Sequence, residues 1–257
     1  GGKMRLGYVK MTTGLMEQFG QKVQSDDVTL TYRVEPGNAY PNPPRNFVVE
    51  PDASAASYFL ALPLATGGEV AVEGLGQACL QADLAFVRVL EAAGLQIERD
   101  LSTWVARAPK EGAGRGVLSN FYEFSDTFLT LAALTPLLQG ETTIAGIAHT
   151  RKQETDRVSA MTNELRKLGQ RVDEHHDLIS IKPDRLGLKT LARTARPQVK
   201  TYEDHRIAMS FGILGCCDIR NDGHPWLRIL DPHCTSKTFP DFFERLDELR
   251  ETSLAGS

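Results

Sequence analysis

An internal repeat is the feature that most constrains the fold of this chain. Three segments begin with aspartate and continue with small or apolar residues: residues 52–59 (DASAASYF), 126–131 (DTFLTL) and 204–209 (DHRIAM). Their starts are roughly 75 residues apart. An aspartate at the start of a helix can accept hydrogen bonds from the unpaired N–H groups of the first turn. The sequence therefore predicts three similar units, each opening on a capped helix.

The units also continue alike. After each opening helix we predict a strand, at residues 69–72, 142–145 and 227–230, the last following a polar insertion. A second helix then passes Asp83, Asp156 and Asp241. Gly94 and Gly169 are expected to end two of these helices and to lead into strands that contain Ile97 and Val172. The alternation of helices and strands indicates α/β architecture.

The first residues fit the end of such a unit. Residues 7–19 are predicted to form a helix that stops at Gly20, with strands at Val23 and over 28–34. The pair Gly20 and Val23 matches the later glycine–strand pairs, so the unit would have to open before residue 1. We therefore expect a fragment, or a product whose first half is a separate chain.

A proline-rich stretch follows this N-terminal part. Residues 36–46 contain four prolines and are predicted to be a crossing loop or linker, and residues 47–49 a short strand.

A charge cluster marks the start of one predicted helix. Residues 151–157 (RKQETDR) follow the apolar stretch 145–148 and precede a helical pattern of Val158, Met161 and Leu165. A helix start suits anions because its first N–H groups are unpaired and the helix dipole is positive there. The alternative is a solvated first turn in which the carboxylates simply complement the dipole.

Composition excludes several classes of protein. A net charge of −4 argues against broad nucleic-acid or membrane-surface binding. The longest apolar run, residues 128–138, is too short to span a bilayer. Cys79, Cys216, Cys217 and Cys234 form no CxxC pair, so we expect a reducing cytoplasm, and we find no metal signature.

Four blocks together carry a family resemblance. They are residues 52–59, residues 154–169 with ETDRVSAM and ELRKLG, residues 204–209, and residues 231–243 (DPHCTSKTFPDFF). In this order they resemble the 5-enolpyruvylshikimate-3-phosphate synthases and cover nearly the whole chain. The UDP-N-acetylglucosamine enolpyruvyl transferases would share the fold but look less similar, because the DHR and KTFPD sequences are marks of the shikimate branch.

The resemblance implies an inside-out α/β barrel built from repeated βαβαββ units, here truncated at the N-terminus. It places residues 1–46 at the end of a first domain, as a remnant with the linker, and residues 47–257 in the second domain. It also implies that most of the first domain lies outside this chain, so that the chain alone is expected to be a poor enzyme and can expose an apolar face that favours self-association.

The implied reaction transfers the enolpyruvyl group of phosphoenolpyruvate to the 5-hydroxyl of shikimate 3-phosphate and releases phosphate, without metal or cofactor. By motif match, Asp126 would bind the ring hydroxyls and help to deprotonate the attacking one. Glu154 would transfer the proton at the methylene carbon. Arg157, Arg206 and Lys237 would hold phosphoenolpyruvate, and His205 and Tyr8 would contact substrate.

Each of these residues also has a structural alternative. Glu154 can be a first-turn carboxylate that complements the helix dipole, and Arg157, Arg206 and Lys237 can be ordinary surface cations. Asp126 occupies the same repeat position as Asp52 and Asp204, so it can be a plain helix cap. His205 can be a hydrogen-bonded structural histidine, and Tyr8 can serve in packing.

Three positions depart from the family pattern. Gln153 stands where a lysine is usual, so the substrate contact expected there loses its charge. His149 and Thr150 stand where asparagine and tryptophan are usual. Lys152 is adjacent, but neighbouring positions on a helix point in different directions.

Two functions therefore remain open on the sequence. The first is the second half of the synthase, active only with the missing N-terminal half. The second is a non-catalytic domain of the same shape that binds anionic ligands or a protein partner.

Overall fold

The computed structural model describes residues 5–37, 40, 42–76, 79–110 and 112–255. Its α-helices are α1 Leu6–Gln18, α2 Ala53–Ala61, α3 Pro63–Thr66, α4 Phe86–Ala92, α5 Phe128–Leu134, α6 Arg157–Lys167, α7 Arg185–Thr194, α8 His205–Gly215 and α9 Phe242–Ala255. Its strands are β1 Val23–Asp26, β2 Thr31–Val34, β3 Glu69–Glu73, β4 Gln96–Arg99, β5 Thr103–Arg107, β6 Leu118–Asn120, β7 Thr142–Ala145, β8 Arg171–Glu174, β9 Leu178–Lys182, β10 Gln198–Val199 and β11 Arg228–Ile229. Short 3₁₀ turns occupy Ala82–Ala85, Ser125–Thr127, Thr135–Leu137, Ala148–Lys152 and Pro232–Lys237.

The repeated units are visible in the sheets. In the second unit β6 runs parallel to β7 across the α5 crossover, β7 pairs antiparallel with β9, and β8 and β9 form a hairpin. The first unit has the corresponding order β3-β5-β4. In the third, β10 and β11 are parallel and flank α8. This confirms the predicted α/β repeat.

The opening helices of the three units form the centre of the molecule. Helices α2, α5 and α8 contact one another. All seven residues of α5 are buried. The strands alternate buried and more exposed side chains, as in β9, where Ile179 and Ile181 are fully buried. Helices inside and sheets outside give the inside-out barrel, and helix burial supplies most of the hydrophobic stabilisation.

Glycines end the second helices as the repeat predicted. Gly20, Gly94 and Gly169 all have positive φ, at 84°, 111° and 79°. At each one, the glycine N–H and the next N–H bond back to carbonyls three and five residues earlier. This left-handed stop strongly favours glycine, and it turns the chain into β1, β4 and β8.

The strand predicted over residues 28–34 is wrong in its first half. Asp26 accepts hydrogen bonds from the backbone N–H groups of Val28 and Thr29, which closes a turn. Leu30 then adopts a φ of 56°. The side chain of Asp26 therefore competes with the sheet, and β2 begins only at Thr31.

The strand predicted at residues 47–49 is also wrong. These residues are irregular, and Val48 and Val49 are 88% and 76% exposed. Phe47 packs on the ring of Phe19 with centroids 5.0 Å apart. Within the described ranges no strand pairs with this segment, so its apolar pattern has no sheet to join.

The N-terminal segment lies against the barrel through α1. The N–H of Gly7 donates to Glu123 Oε2 at 2.8 Å, and α1 contacts the turn Ala82–Ala85. The described positions of the predicted linker 36–46 contain no helix or strand, and positions 38, 39 and 41 lie outside the described residues. The domain boundary after residue 46 stays a prediction.

Several large apolar side chains of this segment are exposed: Leu15, Val28, Val34, Tyr40 and Phe47. The self-association expected from them stays a prediction. In the part of the chain that the structure describes, no helix has both the length and the apolar character needed to cross a bilayer.

Candidate active site

A buried arginine stands at the centre of the site. Arg157 is the first residue of α6, and its side chain is 1% exposed. Its Nε donates to Asp204 Oδ2 at 2.7 Å, and its two terminal nitrogens reach Asp126 at 3.0 Å, Glu154 at 2.7 Å and the amide oxygen of Gln153 at 2.6 Å. A charge this deeply buried requires such partners, because desolvation would otherwise dominate.

The partners come from the starts of the barrel helices. Asp126 lies in the turn before α5 and Asp204 caps α8, where its Oδ1 accepts the N–H of Arg206 at 2.8 Å. Asp156 caps α6 by accepting from Ser159. The repeat thus directs three helix N-termini toward one place, where their dipoles favour anions.

Asp126 is not a helix cap, although its repeat position allows it. Its Oδ1 contacts Arg157, and its Oδ2 lies 3.1 Å from a terminal nitrogen of Arg206. Among the described hydrogen bonds it accepts none from a backbone N–H. The side chain is 13% exposed. The capping alternative is therefore not supported, and a substrate role for this carboxylate stays a prediction.

Arg206 is held among acidic and phenolic groups. Burial opposes its charge, but the neighbouring Tyr58 and Asp126 raise the pKa of its guanidinium. Burial also raises the pKa of Tyr58 to about 12, so this phenol stays protonated at neutral pH. The Tyr58 hydroxyl is buried and has no hydrogen-bond partner among the described residues.

Glu154 is engaged by two cations. Its Oε1 accepts from Lys237 Nζ at 2.9 Å, and its Oε2 accepts from Arg157. Partial burial opposes ionisation, but the hydrogen bond from Lys237 and the charge of Arg157 lower the pKa of Glu154 to about 2. The carboxylate is therefore ionised at neutral pH. Lys237, which contacts it, lies on the turn Pro232–Lys237.

His205 is buried without a hydrogen-bonding role in the scaffold. It is 2% exposed, and both ring nitrogens lack partners within the described ranges. Burial, followed by the charge of Arg206, lowers the pKa of the imidazole, so the ring is neutral. The alternative of a hydrogen-bonded structural histidine is therefore not supported. An unpaired buried ring instead suits a ligand.

Tyr8 and His149 form the opposite edge of the site, together with Arg5. Burial and the charge of Asp126 raise the pKa of Tyr8. The Arg5 guanidinium lies 4.6 Å from the centre of the Tyr8 ring. His149 Nε2 is 2.8 Å from Ser125 Oγ, directly before Asp126 in the chain. Tyr8 is thus placed near the charged groups as well as in packing.

The departure at Gln153 has a structural reason in this chain. Its amide oxygen accepts from Arg157, which a lysine at this position could not do. Lys152 is exposed. Arg151, the other arginine of the charge cluster, bonds the carbonyls of His175 and His176 and pairs with Asp156 and Glu174, so it anchors the β8–β9 turn.

Sequence reasoning missed four members of the site: Arg5, Tyr58, Asp83 and the ion-pairing role of Asp204. Burial and the charge of Asp126 raise the pKa of Asp83 to about 6, and its Oδ1 is buried without a partner among the described residues. Tyr58 and Asp83 lie within repeat motifs, which could have marked them. Arg5 comes from α1, and only the fold brings it here.

The fold of this chain is similar to that of the enolpyruvyl transferases. Among solved structures, an EPSP synthase from Acinetobacter baumannii superposes with a TM-score of 0.69 at 20% identity, covering 91% of this chain and 53% of that one. The enolpyruvyl transferase NikO from Streptomyces tendae gives 0.65 at 15% identity, covering 92% and 51%. At these identities the likeness concerns the fold alone.

Sequence comparison narrows the class to one family. The family model described as EPSP synthase (3-phosphoshikimate 1-carboxyvinyltransferase) matches residues 4–246. The chain is 49% identical over 255 residues to the 3-phosphoshikimate 1-carboxyvinyltransferase of Opitutus terrae, covering 98% of this chain and 53% of that protein. It is 38% identical over 247 residues to the chloroplastic enzyme of Arabidopsis thaliana, covering 94% and 45%.

The chain belongs to the EPSP synthase family, as the motifs predicted. It spans about half the length of the curated relatives that it matches.

Proposed function

We propose that this chain supplies the second half of a 3-phosphoshikimate 1-carboxyvinyltransferase. Its substrates would be phosphoenolpyruvate and shikimate 3-phosphate, and its partner would be the N-terminal half present in the longer relatives. The observation that carries the proposal is the buried cluster in which Arg157 joins Asp126, Glu154 and Asp204. Family membership supports the same reaction.

The cations of the cluster suit an anionic substrate. Arg206 and Lys237 each contact one carboxylate and retain further N–H donors, since a guanidinium carries five and an ammonium three. Phosphoenolpyruvate has a phosphate and a carboxylate, which forked and single donors can bind. The unpaired imidazole of His205 adds a neutral donor between them.

Asp126 would take the proton of the attacking 5-hydroxyl. The oxygen then forms a bond to C2 of phosphoenolpyruvate while C3 gains a proton. The resulting tetrahedral intermediate loses a proton from C3 as the bond between C2 and the phosphate oxygen breaks, which restores the enol ether and frees phosphate. Cations that already surround the carboxylates would stabilise the charge that builds on the departing phosphate.

Glu154 would carry the proton to and from C3, and its surroundings explain how it could become an acid. In the absence of ligand its carboxylate is held ionised by Lys237 and Arg157. An incoming phosphate competes for both cations, and the loss of their contacts raises the proton affinity of Glu154. Substrate binding would thus prepare the acid that the addition step requires.

The test is phosphate release from phosphoenolpyruvate and shikimate 3-phosphate, with the chain alone and with the N-terminal half of the Opitutus terrae relative added. Release should require both halves, because a site that closes from two sides needs donors from each. Glu154→Gln should lower the rate at least about 100-fold. Glu244→Gln, an exposed residue of α9, is the matched control and should change little.

A different result would favour the second candidate, a non-catalytic domain that binds anions or a protein partner. Binding of phosphoenolpyruvate without any release, from folded protein with the added half, would support it. The observation behind it is that the chain spans only about half of its relatives. Unchanged release with Glu154→Gln would instead remove Glu154 from the mechanism.

A cytoplasmic location is also part of the proposal. Cys79, Cys216, Cys217 and Cys234 are free thiols in the structure, in keeping with a reducing compartment. Cell fractionation with an antibody to the chain tests it, and recovery in an oxidising compartment would contradict it.

A further inference from the structure

Among the described residues of this site, Arg5 is a cation with which no carboxylate forms an ion pair. Arg157 is paired with three acidic side chains, Arg206 with Asp126 and Lys237 with Glu154. Within the described ranges, no acidic side chain lies within ion-pair distance of Arg5. A half-buried guanidinium without a counter-ion loses hydration and gains little in return. Such a group is suited to a ligand anion.

The side chain is nevertheless fixed in place. Its NH1 donates to Ser125 Oγ at 3.3 Å and lies 3.3 Å from His149 Nε2. Its guanidinium stacks on Tyr8 at 4.6 Å, a cation–π contact that sets the plane of the fork. Nε and NH2 donate to no group in the part of the chain that the structure describes. One edge of the guanidinium is therefore anchored and the other is available.

Arg5 also lies within electrostatic reach of the catalytic carboxylate. Both Arg5 and Asp126 influence the pKa of Tyr8 and that of His149. Ser125, which anchors Arg5, is the residue before Asp126 in the chain. A ligand on the free edge of Arg5 would thus be bound beside the carboxylate proposed to receive the hydroxyl proton.

We propose that Arg5 is a substrate-binding residue that takes an anionic group of the ring substrate, and that Ser125, His149 and Tyr8 hold it in position. This inference rests on the proposed function. It also accounts for Gln153, whose neutral amide leaves the site one positive charge short of the family pattern. Arg5, the N-cap residue of α1, returns that charge.

The anchoring depends on a neutral His149. Arginine has no acceptor, so the contact with Arg5 is a hydrogen bond only when His149 Nε2 is unprotonated and accepts. Burial and then the charge of Arg5 lower the pKa of His149, whereas Asp126 and Asp177 raise it. The Tyr122 ring also contacts His149, with centroids 5.6 Å apart. Removing the Arg5 charge should therefore raise the pKa of His149.

Calorimetry with the full chain and the added N-terminal half tests the proposal, using shikimate 3-phosphate, shikimate, inorganic phosphate and phosphoenolpyruvate as separate ligands. Arg5→Gln should weaken the binding of shikimate 3-phosphate at least about tenfold, because the charge-assisted hydrogen bonds of the guanidinium are lost. Weaker shikimate binding would assign Arg5 to the carboxylate, and weaker phosphate binding to the phosphate. Phosphoenolpyruvate affinity should not change, and Arg5→Lys should restore part of the loss.

Arg33→Gln is the matched control, since it removes the same charge from the exposed hairpin strand β2. It should leave all four affinities within about twofold of the unsubstituted chain. An NMR titration of the His149 ring gives a second readout, and the pKa should rise in Arg5→Gln and stay constant in Arg33→Gln.

The failures are distinguishable. Unchanged shikimate 3-phosphate affinity in Arg5→Gln, or an equal loss for phosphoenolpyruvate, would overturn the role of Arg5 and leave the proposed reaction intact. No binding of shikimate 3-phosphate by the unsubstituted chain together with the added N-terminal half would overturn the proposed substrate and the role of Arg5 together.

Discussion

Asp52 and Asp126 occupy the same position in two copies of one repeat, yet their side chains do different work. Asp52 caps α2, accepting the backbone N–H groups of Ser54 and Ala55. The Asp126 side chain does not cap α5; its two oxygens instead form ion pairs with Arg157 and Arg206. The opening turn before α5 is a 3₁₀ turn, which releases the carboxylate from the capping geometry.

Asp204 lies between these two cases. One oxygen accepts the N–H of Arg206 and the other binds Arg157, and the side chain is completely buried. The three copies therefore show that a repeated fold supplies equivalent carboxylates, and that the local turn and its cationic neighbours decide whether each one stabilises a helix or serves a site.

The largest effect should come from removing the charge at Asp126. Asp126→Asn leaves two buried guanidinium groups short of a counter-ion, so the free energy of unfolding should fall by about 3 kcal/mol. Phosphate release with the added half should fall at least about 100-fold. Asp52→Asn is the matched control: asparagine caps as well as aspartate, so unfolding should change by less than about 0.5 kcal/mol. Urea denaturation of both variants checks this, and equal losses would erase the distinction.

A smaller effect is expected at Asp204. Asp204→Asn can keep the helix cap but loses the charged bond to Arg157, which should cost about 2 kcal/mol of unfolding free energy. Asp204→Ala should cost about 1 kcal/mol more because the cap is lost as well. Thermal and urea unfolding measure both. If the two variants were equally stable, the cap would contribute nothing at this position.

The contribution of Asp83 to the free energy of unfolding should depend on pH. Burial and Asp126 raise the pKa of Asp83 from 3.8 to about 6, so its neutral form is favoured on folding. Its contribution to stability is complete below pH 3.8 and is lost as the pH rises through about 6. Asp83→Asn should therefore gain about 2–3 kcal/mol relative to the unsubstituted chain between pH 4 and pH 8. Urea denaturation at these two pH values would contradict the account if the difference were constant.

The smallest effect should come from Asp52 itself. Asp52→Ala removes the α2 cap and should lower the unfolding free energy by about 1 kcal/mol. Ligand affinity should be unaffected, because Asp52 bonds only backbone groups among its described contacts. Calorimetry with shikimate 3-phosphate, run beside the denaturation series, would reveal any hidden part that Asp52 plays in the site.

Local patterns predicted the repeat, its helix caps and its glycine stops because each is set by a few neighbouring residues. They failed at residues 28–30, where the side chain of Asp26 forms a turn, and at 47–49, where no strand is available for pairing. Asp126, Glu154, Arg157 and Arg206 were found through motifs. Arg5 could not be, because its place beside His149 depends on how α1 packs against the barrel.

The most direct test of the account is calorimetric titration of shikimate 3-phosphate, with the N-terminal half added, into the unsubstituted chain, Asp52→Asn and Asp126→Asn. We predict that Asp52→Asn binds as the unsubstituted chain does and that Asp126→Asn binds at least about tenfold more weakly, although both occupy the same repeat position. Equal affinity of the two variants would contradict the claim that Asp126 has left helix capping to serve the substrate.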